Sequence, residues 1–483
     1  MIAEISPTSP VLVWFRKDLR LQDNPSLNAA LEADREIIPL FVWDEEEGGK
    51  WSPGSASRWW LHQALNSLGK DIEKLGGHLI LAKGKAVDLI PEIAKAHGAG
   101  KVFYGRSYDP AGLATQEKVE ETLDKTGIDT ESFNAALLQE PWETKNGSGN
   151  PFQVFTPYWR KSRPIIYREP SRYSLPSIPF FKTPTPKHTL DDLDLLPGHS
   201  WHQKLDEHWI VSESAAHEQL ERTVNEVTHS YATRRNNPSV NGTSRLSPYL
   251  AWGLISPRQI CQSVLQADNE GSHRGENKFL VEIGWREFSY HLLYHYPGIS
   301  DQPLRPKYSA FPWLDDQENL KRWQFGNTGY PMVDAGMRQL YQTGWMHNRV
   351  RMVVASFLVK HLLISWTEGA RWFWDTLVDA DLASNTQGWQ WAAGCGADAA
   401  PYFRIFNPIT QGEKFDTRGA YAKHWIPPLA NLPSKYVFKP WEAPASMLEE
   451  NGIDLGENYP EPCVDHSEAR ARALAALASL KTS

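Results

Sequence analysis

The chain has 483 residues, 41% hydrophobic and 22% charged, with a formal net charge of −8. That is the profile of a folded protein of two or three domains, not of a disordered or fibrous one. No apolar run approaches the ~20 residues that span a bilayer, the first residues lack the basic and hydrophobic regions of a secretory leader, and Cys261, Cys395 and Cys463 offer neither a disulfide framework nor a zinc spacing. These features point to a reducing, cytoplasmic location. The acidic total leaves nucleic-acid binding open, because local clusters of Lys and Arg decide it.

The first stretch alternates between short apolar runs and helical patterns. The runs are VLVWF (11–15), IIPLFVW (37–43), HLILA (78–82) and KVFYG (101–105). The helical patterns fall at Ser26–Ala33, Ala56–Leu75, Ala86–His97 and Ala114–Leu123. This alternation predicts a doubly wound parallel sheet over residues 8–137. No GxGxxG follows the first run, so a dinucleotide fingerprint is absent. Residues 138–210 are rich in proline, as in SLPSIPFFKTPTPKH (174–188), and read as a connector wrapping the surface. From 211 to 483 the pattern is helical, with candidates at Ser214–Ser230, Arg258–Ala267, Lys278–Tyr296, Val333–Gly344, Trp345–Leu363, Ala370–Val378 and Glu468–Leu480. The fold class is therefore α/β followed by an all-helical domain.

Four stretches stand out chemically, against an aromatic content of 12% that includes 21 Trp. That figure suggests stacking surfaces as well as core. In YATRRNNPSVNGTSRLSPYLAWG (231–253), Thr243, Ser244 and Ser247 precede Pro248. This is a helix-start signal whose free N–H and hydroxyl groups suit an anion such as a pyrophosphate, though taken alone a plain cap is the better reading. FLVEIGWREFSYHLL (279–293) sets Glu282, Trp285 and Arg286 on one helix face, and GWMHNRVRMVVASFLVK (344–360) does the same for Trp345, Asn348, Arg349 and Met352. Two such mixed faces suggest a pocket for a planar ligand. LVDADLASNTQGWQW (377–391) adds Asp379, Asp381 and Asn385. With no His nearby these carboxylates are poor metal ligands, and pairing with Arg286 and Arg351 is the better reading. The same stretch places two indoles, Trp389 and Trp391, two residues apart.

Several long, ordered motifs carry a resemblance: VLVWFRKDLRLQDNPSL (11–27), GTSRLSP (242–248), WREF (285–288), TGYPMVDAGMRQL (328–340), GWMHNRVRM (344–352), WQWAAGCGADAAPYFRIFNP (389–408) and QGEKFD (411–416). Together they resemble the photolyase/cryptochrome flavoprotein family over most of the chain, and most nearly its bacterial cyclobutane pyrimidine dimer photolyases. The resemblance implies an antenna-type α/β domain, a connector and a helical FAD-binding domain. It implies light-driven splitting of pyrimidine dimers in UV-damaged DNA, single- or double-stranded, by a monomer holding FAD active as the reduced anion.

Residue by residue, the resemblance assigns FAD to Tyr231, the run Thr243, Ser244, Arg245, Leu246 and Ser247, and Arg286, Asn348, Arg351, Asp379, Asp381 and Asn385. Asn385 would face the reactive flavin edge, where an amide is no acid. It makes Trp389, Trp366 and Trp313 an electron-transfer row and gives the dimer pocket Glu282, Trp285, Asn348, Arg349, Met352 and Trp391. Glu282 and Asn385 are the catalytic pair, with Glu282 protonated so that it can donate to the dimer. Arg235, Arg349 and Gln411, with Arg160, Lys161 and Arg163 of the connector, are candidate phosphate contacts. Enzymes of the (6-4) type carry histidines where Asn348 and Met352 stand here. Plant-type cryptochromes lose the Trp matching 285 and 391 and place Asp at 385. A second antenna chromophore is expected, methenyltetrahydrofolate in preference to a deazaflavin, although YDPAG (108–112) lacks the family's usual folate-contacting Glu.

Overall fold

A computed structural model describes residues 9–170, 178–182, 188–267, 274–398 and 403–480. Five parallel strands, β1 (Val11–Phe15), β2 (Ile37–Trp43), β3 (Ile80–Lys83), β4 (Lys101–Gly105) and β5 (Asp129–Phe133), run in the order β3-β2-β1-β4-β5. The central β1 and β2 are buried throughout, as parallel strands covered on both faces must be. The side chains of β1 alternate between two cores. Leu12 and Trp14 join one with Ile90 and Val119, while Val11, Val13 and Phe15 join another with Trp59 and Leu65. The helices that cover the sheet are α1 (Pro25–Glu32), α2 (Ser55–Lys74), α3 (Ala86–Ala96) and α4 (Pro110–Asp124). Asn24 caps α1 and Asp109 caps α4, each just ahead of a proline at the first helical position.

The helices that follow are α5 (Phe155–Ser162), α6 (Glu213–Arg222), α7 (Tyr231–Arg234), α8 (Ser247–Ala251), α9 (Pro257–Ala267), α10 (Arg274–His295), α11 (Gln317–Gln324), α12 (Pro331–Thr343), α13 (Asn348–Ser356), α14 (Trp366–Thr376), α15 (Leu382–Ala393), α16 (Pro408–Phe415), α17 (Ala420–Trp425), α18 (Ala445–Glu450) and α19 (His466–Ser479). Among the described residues no helix is long and apolar enough to cross a membrane.

Four expectations need correction. The fifth strand, Asp129-Thr-Glu-Ser-Phe133, is a polar edge strand, so it lacks the apolar run that betrays its neighbours. The stretch 138–210 is not merely a surface wrap, because α5 buries Phe155, Tyr158, Trp159 and Ser162. Residues 345–363 do not form one helix. Gly344 turns left-handed at the end of α12, and His347 caps α13 by accepting from the Arg349 N–H at 3.1 Å. Trp345 therefore lies before the helix and does not share its face. The pattern at Ser214–Ser230 breaks after Arg222 into a π-type and then a 3₁₀ turn.

The sheet and the helical part share a core that runs from Phe15 to Ile260 and Leu292. Arg20, fully buried, fastens the seam. Its guanidinium donates to the carbonyls of Gly253 (2.9 Å), Asp23 (2.7 Å), Ala135 (2.8 Å) and Gln22 (3.0 Å). Gly253 reaches this position with φ +69°, so close to the β1–α1 loop that a Cβ there would overlap the carbonyl of Lys17. Gly253→Ala is thus expected to lower stability by about 2 kcal/mol or more. Gly69→Ala, in the open middle of α2 with no atom near the added methyl, should raise it by up to about 1 kcal/mol. Thermal unfolding of the two variants beside the parent checks both signs.

Candidate functional site

The helical part gathers its charged residues around one buried carboxylate. Asp379 lies in the turn between α14 and α15. Its Oδ2 accepts from Arg351 Nη2 of α13 (2.8 Å) and from Ser247 Oγ of α8 (2.6 Å). Arg351 Nε donates to the Met346 carbonyl at 2.8 Å, which fixes the guanidinium. The second carboxylate oxygen, Oδ1, is buried with no hydrogen-bond partner among the described residues. An unpaired buried acceptor is costly. It suits a ligand that brings an N–H or O–H donor, as the rim of a flavin ring does. On that observation the residues fit FAD.

Around this knot the expected ligand residues fall into distinct groups. Arg245 sits at φ +53° with its guanidinium 4.9 Å from the Trp345 ring. The carbonyls of Thr243 and Ser244 are held from α6 by Arg222 and Gln219, which fixes the loop that ends in the buried Leu246. The start of α8 carries no side-chain cap. The helix beginning at Ser247 is a single turn, and the Ser247 hydroxyl is spent on Asp379. Asp381 caps α15 by accepting from Ser384 N (2.7 Å) and also accepts from Tyr290 OH. Arg286 does not reach either aspartate. It donates to the Ala136 carbonyl (2.8 Å) and lies 3.5 Å from the buried Glu287. Asn385 donates Nδ2 to the Ala370 carbonyl at 3.0 Å, which turns its amide oxygen away from α14. Asn348 is exposed at the start of α13, and Met352 lies half-buried one turn later.

A second group centres on Glu282. Arg235 ion-pairs with it closely, Lys278 Nζ approaches to 3.2 Å from one turn earlier on α10, and Arg235 also covers the buried Tyr231 ring at 5.2 Å. In the protein alone, Glu282 Oε1 thus accepts from Arg235 and lies beside the Lys278 ammonium. The donors at this place are the cations. Arg349 is held by Asn236 Oδ1 at 2.7 Å and stacks on Phe415 at 4.5 Å. His347 lies beside Arg235, Arg349 and Arg351, and burial with their charges pushes it down to about 3, so it stays neutral. A locally cationic region thus exists on a chain of net charge −8. Gln411 is half-buried with Oε1 unpaired. Arg160 and Lys161 face outward from α5, and Arg163 donates to Asn277 at 2.9 Å.

The aromatic residues divide clearly. Trp285 stacks on Phe155 of α5 with centroids 3.8 Å apart and planes 10° apart, which leaves one indole face covered. Phe155, Lys278, Asn236 and Phe415 were not singled out in the sequence. Lys278 pairs with Glu282 at i,i+4 on α10, while the other partners are remote in the chain, and only the aromatic density of NPFQVFTPYW (150–159) hints at Phe155. Trp389 is 2% exposed and packs against Phe373 (5.0 Å) and Trp323 (6.0 Å). It lies over Gly369, where a Cβ would collide with its ring, and Trp366 (3% exposed) stands one turn before Gly369 on α14. Leu314, next to the half-exposed Trp313, bonds the Leu363 carbonyl at 2.8 Å. Of the three expected tryptophans, Trp313 is half-exposed, while Trp366 and Trp389 are buried. Trp391 is half-buried and leans on Phe406 at 6.3 Å.

Residues 11–176 match a family described as DNA photolyase, and residues 279–479 match the FAD binding domain of DNA photolyase. The chain is 44% identical to a deoxyribodipyrimidine photo-lyase of Agrobacterium fabrum over 98% of both chains. It is 39% identical to cryptochrome-1 of Arabidopsis thaliana over 97% of this chain and 70% of that one. Its structure superposes on the crystal structure of a bacterial class III photolyase from Agrobacterium tumefaciens with a TM-score of 0.94 at 44% identity, covering 100% of both. With family models over most of its length and a relative 44% identical along the whole chain, the chain belongs to the photolyase/cryptochrome family.

Proposed function

We propose that this protein repairs cyclobutane pyrimidine dimers in DNA under blue light. The carrying observation is the placement of Trp389 and Trp391 on α15. Residues two apart on a helix point about 200° apart. Accordingly one indole is 2% exposed inside the protein and the other is half-buried at its surface. An electron donor row on the inner side and a stacking platform on the outer side are what a buried redox cofactor acting on an external base needs.

Bound FAD, in its reduced anionic form, would supply on illumination the electron that opens the cyclobutane ring and then returns. The chain's own residues do the rest. Arg351, Asp379 and Ser247 would hold the ring from α13, the α14–α15 turn and α8, and Asn385 would offer an amide, which is no acid, beside it. Trp313, Trp366 and Trp389 would pass electrons inward to the cofactor when it is oxidised. On the outer side Trp285, braced by Phe155, and Trp391 stack on a dimer flipped from the duplex, a step that costs only a few kcal/mol at a poorly stacked lesion. Arg235 and Lys278, oriented by Glu282, stabilise negative charge developing on the dimer carbonyls. Arg349, Arg160 and Lys161 contact phosphates, so binding weakens with salt.

A cryptochrome relative is about as similar as several photolyases, so signalling without repair is the competing reading. Trp285, Trp391 and Asn385 favour repair. For the second chromophore, we assign methenyltetrahydrofolate, in preference to a deazaflavin, to the cleft of about 250 Å³ at the ends of β1, β2 and β4, where Trp43, Trp51 and Trp374 supply aromatic walls.

Purified protein with reduced flavin is expected to remove dimers from irradiated DNA under blue light and not in darkness. Dimers persisting under light would refute the repair reading. Trp313→Phe should slow photoreduction of oxidised flavin roughly tenfold or more while leaving repair intact once the flavin is reduced chemically. Equal loss of both activities would show that the row has another task.

A further inference from the structure

Lys360 is a buried amine that the proposed chemistry does not use. It lies in the π-type turn Phe357–His361 that continues α13, 3% exposed. Among the described residues no carboxylate stands within ion-pair distance. The Lys360 ammonium donates instead to the Arg404 carbonyl and rests 4.3 Å from the Phe403 ring. Four residues earlier, Ser356 Oγ accepts from the Phe406 N–H at 3.1 Å. The end of α13 therefore grips the irregular segment Phe403–Phe406 at two points. That segment carries Phe406, on which Trp391 leans, and the exposed Arg404.

A methionine would fill the same space without the desolvation cost of an amine. What it could not do is donate to a carbonyl in a stretch that has no helix or strand to satisfy it. We propose that Lys360 is a positioning residue for the DNA-facing surface: with Ser356 it fastens Phe403–Phe406, and so sets Phe406 under Trp391 and aims Arg404 outward. This rests on reading the Trp391 side as the side that meets DNA.

Protonation modulates the grip. Burial, more than any neighbour, lowers Lys360 from its ordinary 10.5 to about 7, with Arg404 adding to the shift and Cys395 opposing it. The groups facing it are otherwise uncharged near neutrality: the Cys395 thiol is pushed up to about 12, and His361 down to about 3. Between about 7 and 10.5 the unfolded chain holds more protons than the folded one, so this group makes global stability rise with pH in that window. The charge-assisted tie to Arg404 does the reverse and weakens as pH rises through about 7.

The test uses the full flavin-loaded chain and a fluorescent oligonucleotide with one thymine dimer. Lys360→Met and Ser356→Ala should each weaken dimer binding roughly 5- to 50-fold, with flavin content and repair yield at saturation unchanged. Lys360→Arg, which keeps a donor, should stay within about threefold. Wild-type affinity should fall between about pH 6 and 8.5 more steeply than that of Lys360→Met. Unchanged affinity in both Lys360→Met and Ser356→Ala overturns the inference, as does an identical pH slope in Lys360→Met. If Lys360→Met fails to hold flavin, Ser356→Ala and Lys360→Arg decide alone. Wild-type protein that does not bind the dimer would overturn the repair reading instead.

Discussion

The arrangement depends first on one buried carboxylate. Removing Asp379 from water costs several kcal/mol, and that cost is offset only because Arg351 and Ser247 meet the same oxygen. The pair joins three stretches far apart in the chain: α8, α13 and the turn that leads into α15. Two residues on, Asp381 caps α15 and ties it to Tyr290 of α10. The start of α15 is thereby fixed, and with it the direction in which every later side chain of that helix points.

From that start the helix separates two environments. Trp389 enters a core with Phe373 and Trp323, over a glycine that makes room for it. Trp391 emerges beside the Phe403–Phe406 segment held by Ser356 and Lys360. Trp285, the other residue we propose for stacking, is held by Phe155 from a different part of the chain. Both platforms are thus rigid before any ligand arrives, which lowers the ordering cost of binding.

Much of this was legible in the sequence, and the parts that were not share a cause. Strands β1, β2 and β4 announce themselves because both of their faces are buried, whereas β5 is polar and lies at an edge. Arg351 with Asp379 could be anticipated as a pair of opposite charges. Arg286 could not be placed, since its acceptor is a backbone carbonyl 150 residues away. The helix face proposed for Trp345 failed because a left-handed glycine and a capping histidine delay α13 by three residues. Glu282 could be placed on one face of α10 with Trp285 and Arg286. Its close partner Arg235, 47 residues earlier, could not be read from the pattern. Pattern along a chain reveals burial and periodicity, but not which distant group a long charged side chain will choose.

The most direct test of the account is a paired substitution on α15, reading photoreduction of oxidised flavin and dimer affinity in each variant. Trp389→Phe should slow photoreduction at least tenfold with affinity unchanged, and Trp391→Ala should weaken dimer binding by about 1–3 kcal/mol with photoreduction unchanged. If either substitution damages both readouts to the same extent, α15 does not separate an electron-donating interior from a DNA-stacking surface, and the account is wrong.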